Sequence, residues 1–235
     1  MSMRVDKASY NWAQVPLFAD MPSADIARFV STGFCFVYQA GGLVLSSQDP
    51  GETFFIVLRG LAKLSLVNAR KDAFNAALFV PGDFFGEMAI LDPSLTRSGD
   101  IYAVTELEVM SLNKREFLRM THECGILALN LARTLASRLR GMNQRLVTEV
   151  LPSPLCKVAH TLMSLSVKGK RLPEKDHVMM PPLSVQDWAL FCYTTPDVFK
   201  VSVENLKQLG TLDVADQQLI ITDPVKLAKI AKGDR

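Results

Sequence analysis

Phe85-Gly86-Glu87-Met88-Ala89-Ile90-Leu91, followed ten residues after the glutamate by Arg97-Ser98, is the stretch on which the reading of this chain turns. It brings together a glycine turn, a carboxylate, a short apolar helical turn and an arginine–serine pair. A helix start offers unpaired backbone N–H groups to an anion. Arginine adds a fixed charge and a donor fork that matches phosphate oxygens. Serine adds a donor, and an ionised glutamate can only accept, which suits a sugar hydroxyl. None of this needs a catalytic base or a metal. A surface ion pair beside a β-turn could use the same two charges, but the flanking glycines and apolar turn favour binding. The expected contacts are the backbone at Gly86, Glu87 and Met88, the Glu87 carboxylate on a hydroxyl, and Arg97 and Ser98 on a phosphate. Gly99 leaves room for close approach.

Around this stretch, from about Gly33 to Leu112, short β-type runs alternate with turns. The runs are Phe34 to Tyr38, Phe54 to Leu58, Ala62 to Val67, Ala76 to Val80 and Leu107 to Leu112. Gly41-Gly42, Asp49-Pro50-Gly51 and Pro81-Gly82 supply turn signals between them. That rhythm predicts a β-sandwich or jelly-roll barrel. Ahead of it, Pro22-Ser23-Ala24-Asp25-Ile26 reads as a helix start.

The period changes after the barrel. A helix is predicted from about Lys114 to Val150. Within it, Leu131, Leu135, Leu139, Met142 and Leu146 recur at helical spacing, and Arg133, Arg138, Arg140 and Arg145 read as surface charges on other faces. So narrow a seam predicts a two-helix coiled coil, and hence a homodimer, better than docking on a globular core. Leu151-Pro152-Ser153-Pro154 breaks the helix and marks a hinge. A helix from Leu155 to Ser166, a polar loop from Val167 to Val178, and two helices led by Ser184 and by Thr195-Pro196-Asp197 follow. The last pair reads as a helix-turn-helix. Thr211-Leu212 and Leu219 to Thr222 form a small wing, and Val225 to Ala231 a final helix.

The run Gly86-Glu87 followed by Arg97-Ser98-Gly99 resembles the phosphate-binding cassette of the cyclic-nucleotide-binding domain. With Gly51-Glu52, Phe54 to Leu58, Gly60 and Pro81 to Gly86, the chain is similar to the cyclic-AMP receptor protein/FNR family of bacterial transcription regulators over most of residues 12–230. The resemblance implies an α+β fold: a jelly-roll sensing domain with its dimerisation helix over 1–150, and a winged helix-turn-helix over 151–235. It implies cyclic AMP as an allosteric ligand, DNA as a partner and no covalent cofactor. The threonine–serine pair that meets adenine in the cyclic-AMP receptor protein is replaced here by Met142 and Asn143. Met142 belongs to the seam, and Asn143 is a candidate for the base edge. Where the family often has Arg-Glu-x-x-x-Arg on its recognition helix, this chain has Pro196-Asp197-Val198-Phe199-Lys200-Val201. Thr195 and Lys200 are then the only expected DNA donors in its first two turns. Lys168, Lys170, Arg171 and Lys175 read mainly as a solvated loop. Tyr193 stands at the turn position usually given to glycine, so a left-handed backbone there would cost about 1–2 kcal/mol.

The remaining features narrow the choice. The 235 residues carry a net charge of +2, which neither demands nor excludes nucleic acid. Cys35, Cys124, Cys156 and Cys192 are scattered, and His122, His160 and His177 lie far apart, so no metal or nucleophile motif forms. No signal-type run or membrane-spanning stretch is visible, and a reducing cytoplasm is the expected home. The reading is a cyclic-nucleotide-responsive dimeric regulator, not an enzyme. The alternative keeps the sensor but turns the helix-turn-helix into a protein-interaction module.

Overall fold

A computed structural model describes residues 7, 10–68, 71–92, 96–149, 153–173 and 176–233; side chains of 144–149 are left aside. The chain forms two compact units, Met1–Arg138 and Leu139–Arg235.

In the first unit, 3-10 turns at Trp12–Gln14 and Pro16–Phe18 precede α1 (Ser23–Thr32). Eight strands follow: β1 (Phe34–Tyr38), β2 (Leu43–Leu45), β3 (Thr53–Arg59), β4 (Ala62–Val67), β5 (Ala73–Phe79), β6 (Phe84–Phe85), β7 (Asp100–Ala103) and β8 (Leu107–Asn113). A single turn, α2 (Met88–Leu91), lies between β6 and β7. The strands form two antiparallel sheets, ordered β1-β8-β3-β6 and β2-β7-β4-β5, the double-sheet jelly roll.

β3 shows why the barrel sits where it does. Phe54 to Leu58 is apolar without alternation, the pattern of a strand covered on both faces. Phe55 and Val57 join Phe85, Ile101, Leu107 and Val109 in one core. Phe54, Ile56 and Leu58 face the other way, against Phe18, Phe29, Phe84, Phe117, Leu127 and Leu131. Phe54 and Phe117 stack at 4.3 Å. Each buried Phe or Leu here contributes roughly 1.5–3 kcal/mol.

The predicted single helix is two. α3 (Lys114–Glu123) ends where Cys124 turns extended, at φ −122° and ψ 95°, and α4 (Gly125–Glu149) begins beyond it. Asn113 caps α3 by accepting the Glu116 N–H at 2.9 Å. The predicted seam also divides. Leu131 is buried in the barrel-side core and Leu135 packs against it. Leu139 and Met142 are 58% and 62% exposed. The first half of the stripe therefore docks on a globular core, because Leu127 and Leu131 at the start of α4 belong to the same buried cluster as Phe54, Ile56 and Leu58. Leu146's side chain lies outside the described ones. Buried Asn130 anchors this half of α4, its Nδ2 donating to the carbonyls of Leu17 (3.2 Å) and Ala19 (2.7 Å).

The second unit holds α5 (Pro154–Leu165), β9 (Lys170–Arg171), β10 (Val178–Met179), α6 (Val185–Phe191), α7 (Pro196–Gln208), β11 (Leu212–Ala215), β12 (Gln218–Ile221) and α8 (Pro224–Lys232). The sheet order is β11-β12-β10-β9. The expected loop 167–178 thus contains β9 and the start of β10, too short to leave a periodic signal. Leu151 and Pro152 of the expected hinge lie outside the described residues. Ser153 caps α5, with Pro154 at its first position. All four cysteines are free thiols, and burial pushes the Cys192 thiol up to about 12.

Candidate functional site

The cassette is built by two tight turns and one strand end. Gly82 takes φ +89°, and the Asp83 carboxylate accepts the Val80 N–H at 2.9 Å. β6 then pairs with β3, Phe85 opposite Phe55. Gly86 also takes φ +89°, and a Cβ there would lie 2.6 Å from the Thr53 carbonyl oxygen and 2.9 Å from Arg97 Nη1. Only glycine fits, and it turns the chain so that Glu87 opens α2.

Glu87 is 4% exposed. Its Oε1 accepts from Arg138 Nη1 at 3.0 Å. Arg138 Nη2 also donates to the Phe84 carbonyl at 2.5 Å, and its guanidinium lies 4.4 Å from the Phe84 ring centroid and 5.5 Å from that of Phe79. Burial pushes the Glu87 carboxyl above its usual range, and Arg138, then Arg97, oppose that shift.

Arg97 is 6% exposed. Its Nη1 donates to Gly86 O at 2.9 Å, and its Nη2 to Thr53 O at 3.0 Å and Pro50 O at 3.2 Å. Its Nε is buried with no acceptor among the described residues. Burial lowers the pKa of Arg97, while Asp49, Glu52 and Glu87 act the other way. Arginine remains a cation through such a shift. The cassette therefore holds a carboxylate and one guanidinium out of water, with a second, half-buried guanidinium at its edge and one donor unanswered.

The other expected residues fall as follows. Ser98 is exposed, and its Oγ donates to Met88 Sδ at 3.4 Å, a weak acceptor. Met88 is 51% exposed. Gly99 is buried against β4, where a Cβ would meet Leu66 Cδ2 at 2.4 Å and Ser65 O at 2.5 Å, so its smallness serves strand packing. Asp100 accepts the Ser47 N–H at 2.7 Å, which holds its carboxyl below the usual range. Asn143 is exposed on α4, in the second unit.

Arg138 corrects the surface-charge reading. It stands seven residues after Leu131 and three after Leu135, on the stripe that docks on the barrel. That position was the available signal. The pairing itself spans 51 residues and leaves no local trace.

In the second unit, Ser184 caps α6 by accepting the Asp187 N–H at 3.0 Å. Tyr193 has φ 52°, so the turn between the two helices takes the left-handed backbone despite its cost for a non-glycine residue. Thr195 caps α7, accepting the Val198 N–H at 3.4 Å. Phe199 is buried and stacks on Trp188, with ring centroids 6.2 Å apart and planes 7° apart. Lys200 is exposed, and Val201 is 62% exposed. Lys175 lies outside the described residues. Among the described residues no group of three or more His, Cys, Asp or Glu could hold a metal, and no helix is long and apolar enough to cross a membrane.

Residues 35–124 match the family described as the cyclic nucleotide-binding domain. The first unit carries a cyclic nucleotide-binding domain. The chain is 28% identical over 154 residues to the "Cyclic AMP receptor protein" of Thermus thermophilus, covering 66% of this chain and 71% of that one. It is 27% identical over 129 residues to a "cGMP-dependent 3',5'-cGMP phosphodiesterase A" of Dictyostelium discoideum, covering 52% of this chain but only 14% of that protein. The structure of a CooA mutant from Carboxydothermus hydrogenoformans superposes with a TM-score of 0.74 at 18% identity, covering 97% of this chain and 98% of that one. The fold is that of cyclic-AMP receptor protein/FNR-type regulators, a jelly roll and a long helix followed by a winged helix-turn-helix.

Proposed function

We infer that the chain is a transcription regulator that senses a cyclic mononucleotide, cyclic AMP in the first instance, and works as a homodimer. The observation that carries the ligand reading is the buried, unanswered Nε of Arg97 beside buried Glu87. A buried donor left without an acceptor costs about 1–3 kcal/mol, which a phosphate oxygen would recover.

In this reading Arg97 takes the phosphate, and Ser98 Oγ exchanges the weak Met88 thioether for a phosphate oxygen. Glu87 uses its carboxylate on a ribose hydroxyl, and the backbone at Gly86, Glu87 and Met88 lines the anion. Asn143 offers its amide to the base edge, since it both donates and accepts. Arg138 is a positioning residue: it holds Glu87 from α4, so a ligand that rearranges Glu87 acts on that helix. The exposed side chains immediately beyond, Leu139 and Met142, form the dimer seam. Ligand binding then shifts a population of dimer and hinge states, which alters how the output domains are presented. The sensing half is residues 1–150 and the output half 151–235, with the cytoplasm as its compartment.

Thr195 and Lys200 are the proposed DNA contacts. Thr195's capping role and the apolar residues around Lys200 leave little for base recognition. That favours a second reading of the output half, as a protein-interaction module with little or no specific DNA binding. Binding rather than catalysis is the inferred role of the chain. Mass spectrometry of the ligand that co-purifies with the chain tests the sensor reading: a cyclic mononucleotide supports it, and an unrelated metabolite held in the barrel refutes it.

A further inference from the structure

Helix α7 and the β11–β12 wing carry four carboxylates, Asp197, Glu204, Asp213 and Asp216, against two lysines, Lys200 and Lys207. All four carboxylates are exposed. Lys207 is half-buried, with its Nζ 3.8 Å from Glu204 Oε2. The wing tip has a fixed shape, because Asp216 and Gln217 both take positive φ, 51° and 61°, as a two-residue hairpin turn requires. β11 follows α7 directly through Leu209-Gly210-Thr211, and buried Thr211 ties the two together by donating its N–H to Leu206 O at 3.0 Å.

Basic residues of the same unit sit elsewhere. Lys170 and Arg171 make up β9, at the far edge of the sheet from β11. Three strand spacings separate those edges, roughly 14 Å. Lys226, Lys229 and Lys232 lie on α8. Val201 is 62% exposed and stands four residues after Asp197 and three before Glu204, on the same face of α7.

DNA requires the reverse. A duplex presents one negative charge per roughly 1.7 Å of axis, and binding it depends on cations that replace its counterions. Its base edges are read by paired donors and acceptors. An apolar centre ringed by charge is instead the anatomy of a protein interface, and complementary charge steers and orients the encounter.

We propose that the exposed face of α7 and the wing docks a lysine- and arginine-rich protein surface. Val201, flanked on α7 by Asp197 and Glu204, makes the apolar contact, and those two carboxylates with Asp213 and Asp216 of the wing supply the counter-charge. The proposal rests on the second reading of the output half, as a protein-interaction module, and it holds whatever ligand the first unit binds.

The test is photo-crosslinking in the host cell, with p-benzoylphenylalanine in place of Val201 in the full chain. The expected result is a crosslinked protein whose captured peptide is Lys/Arg-rich. Its yield should fall by roughly fivefold or more when Asp213→Lys and Asp216→Lys are added. Crosslinks to DNA, to a second copy of this chain or to a peptide without basic residues would overturn the proposal. So would absence of any crosslink, or a yield indifferent to the charge reversal. A mixed-sequence duplex at low salt gives a second readout: the double reversal should bind it roughly tenfold more tightly than the wild type. Equal affinity for both proteins would show that the face is not electrostatically closed to DNA. Calorimetry with cyclic AMP on the same variants reports the sensor separately, so failure of the ligand reading and failure of the docking proposal are distinguishable.

Discussion

The cassette of the first unit and helix α7 of the second both carry charge, and they treat it in opposite ways. At the cassette, Glu87 and Arg97 are almost wholly buried, and Glu87 is paired with Arg138. At α7 and the wing the charges are exposed and unbalanced toward negative. Burying a charge is costly unless it is paired or waits for a partner. An exposed carboxylate costs little and acts mainly on what approaches. In the proposed reading the buried cluster defines a small ligand by geometry, whereas the exposed face selects a large partner by sign.

The largest expected effect tests the buried side of that contrast. Arg138→Ala leaves the Glu87 carboxylate uncompensated and removes the guanidinium from the Phe84 and Phe79 rings. Denaturant unfolding of the first unit should lose about 3 kcal/mol. A loss within about 0.5 kcal/mol, the scale of ordinary surface substitutions, would mean that the pair is solvated and the contrast false.

Leu139→Asp should convert dimers to monomers, because two carboxylates would face each other across the seam. Light scattering reads the mass. A wild type that is monomeric at working concentration would show that the exposed Leu139 and Met142 serve something else.

A smaller effect follows from the raised Glu87 carboxyl. The native state holds its proton at pH values where the unfolded chain has released it. Stability from this group is therefore lost as pH rises from the ordinary carboxylate range through the raised native value. Glu87→Gln should remove that slope, seen as a difference between the two unfolding profiles. Nucleotide affinity should rise with pH through the same window, since the ionised group is the better acceptor. A pH-independent difference would place Glu87 in water.

Lys200→Ala should do least. Any DNA affinity should fall across all sequences alike, with the salt slope smaller by about 1. Random-sequence selection that returns one tight consensus site would instead restore an ordinary base-reading helix and break the comparison from the exposed side.

The strands with long apolar runs were legible. Phe34–Tyr38, Ala62–Val67 and the core of Thr53–Arg59 fall where alternation or unbroken apolarity puts them. Leu43–Leu45, Phe84–Phe85 and the strands at Lys170 and Val178 were not, because two or three residues carry no period and are defined by the partner strand. Glu87, Arg97 and the turn glycine Gly86 could be singled out because their spacing is local. Arg138 was missed although its place on the Leu131–Leu135 stripe was visible, since its partner is distant and its helix position was assigned to solvent. The seam was misjudged at Leu131 and Leu135 for a related reason: a heptad-like stripe does not say which core it meets. Tyr193 was legible in place but not in conformation: a bulky residue disfavours the left-handed backbone that the turn between the two helices imposes.

Titration calorimetry of the purified full chain with cyclic AMP and with cyclic GMP tests the central claim most directly. The account predicts saturable heat with cyclic AMP, weakened by about one to two decades in Arg97→Leu as a charge-assisted contact worth roughly 1.5–3 kcal/mol is lost. Absence of heat with either nucleotide for the wild type, or equal affinity in Arg97→Leu, would contradict it.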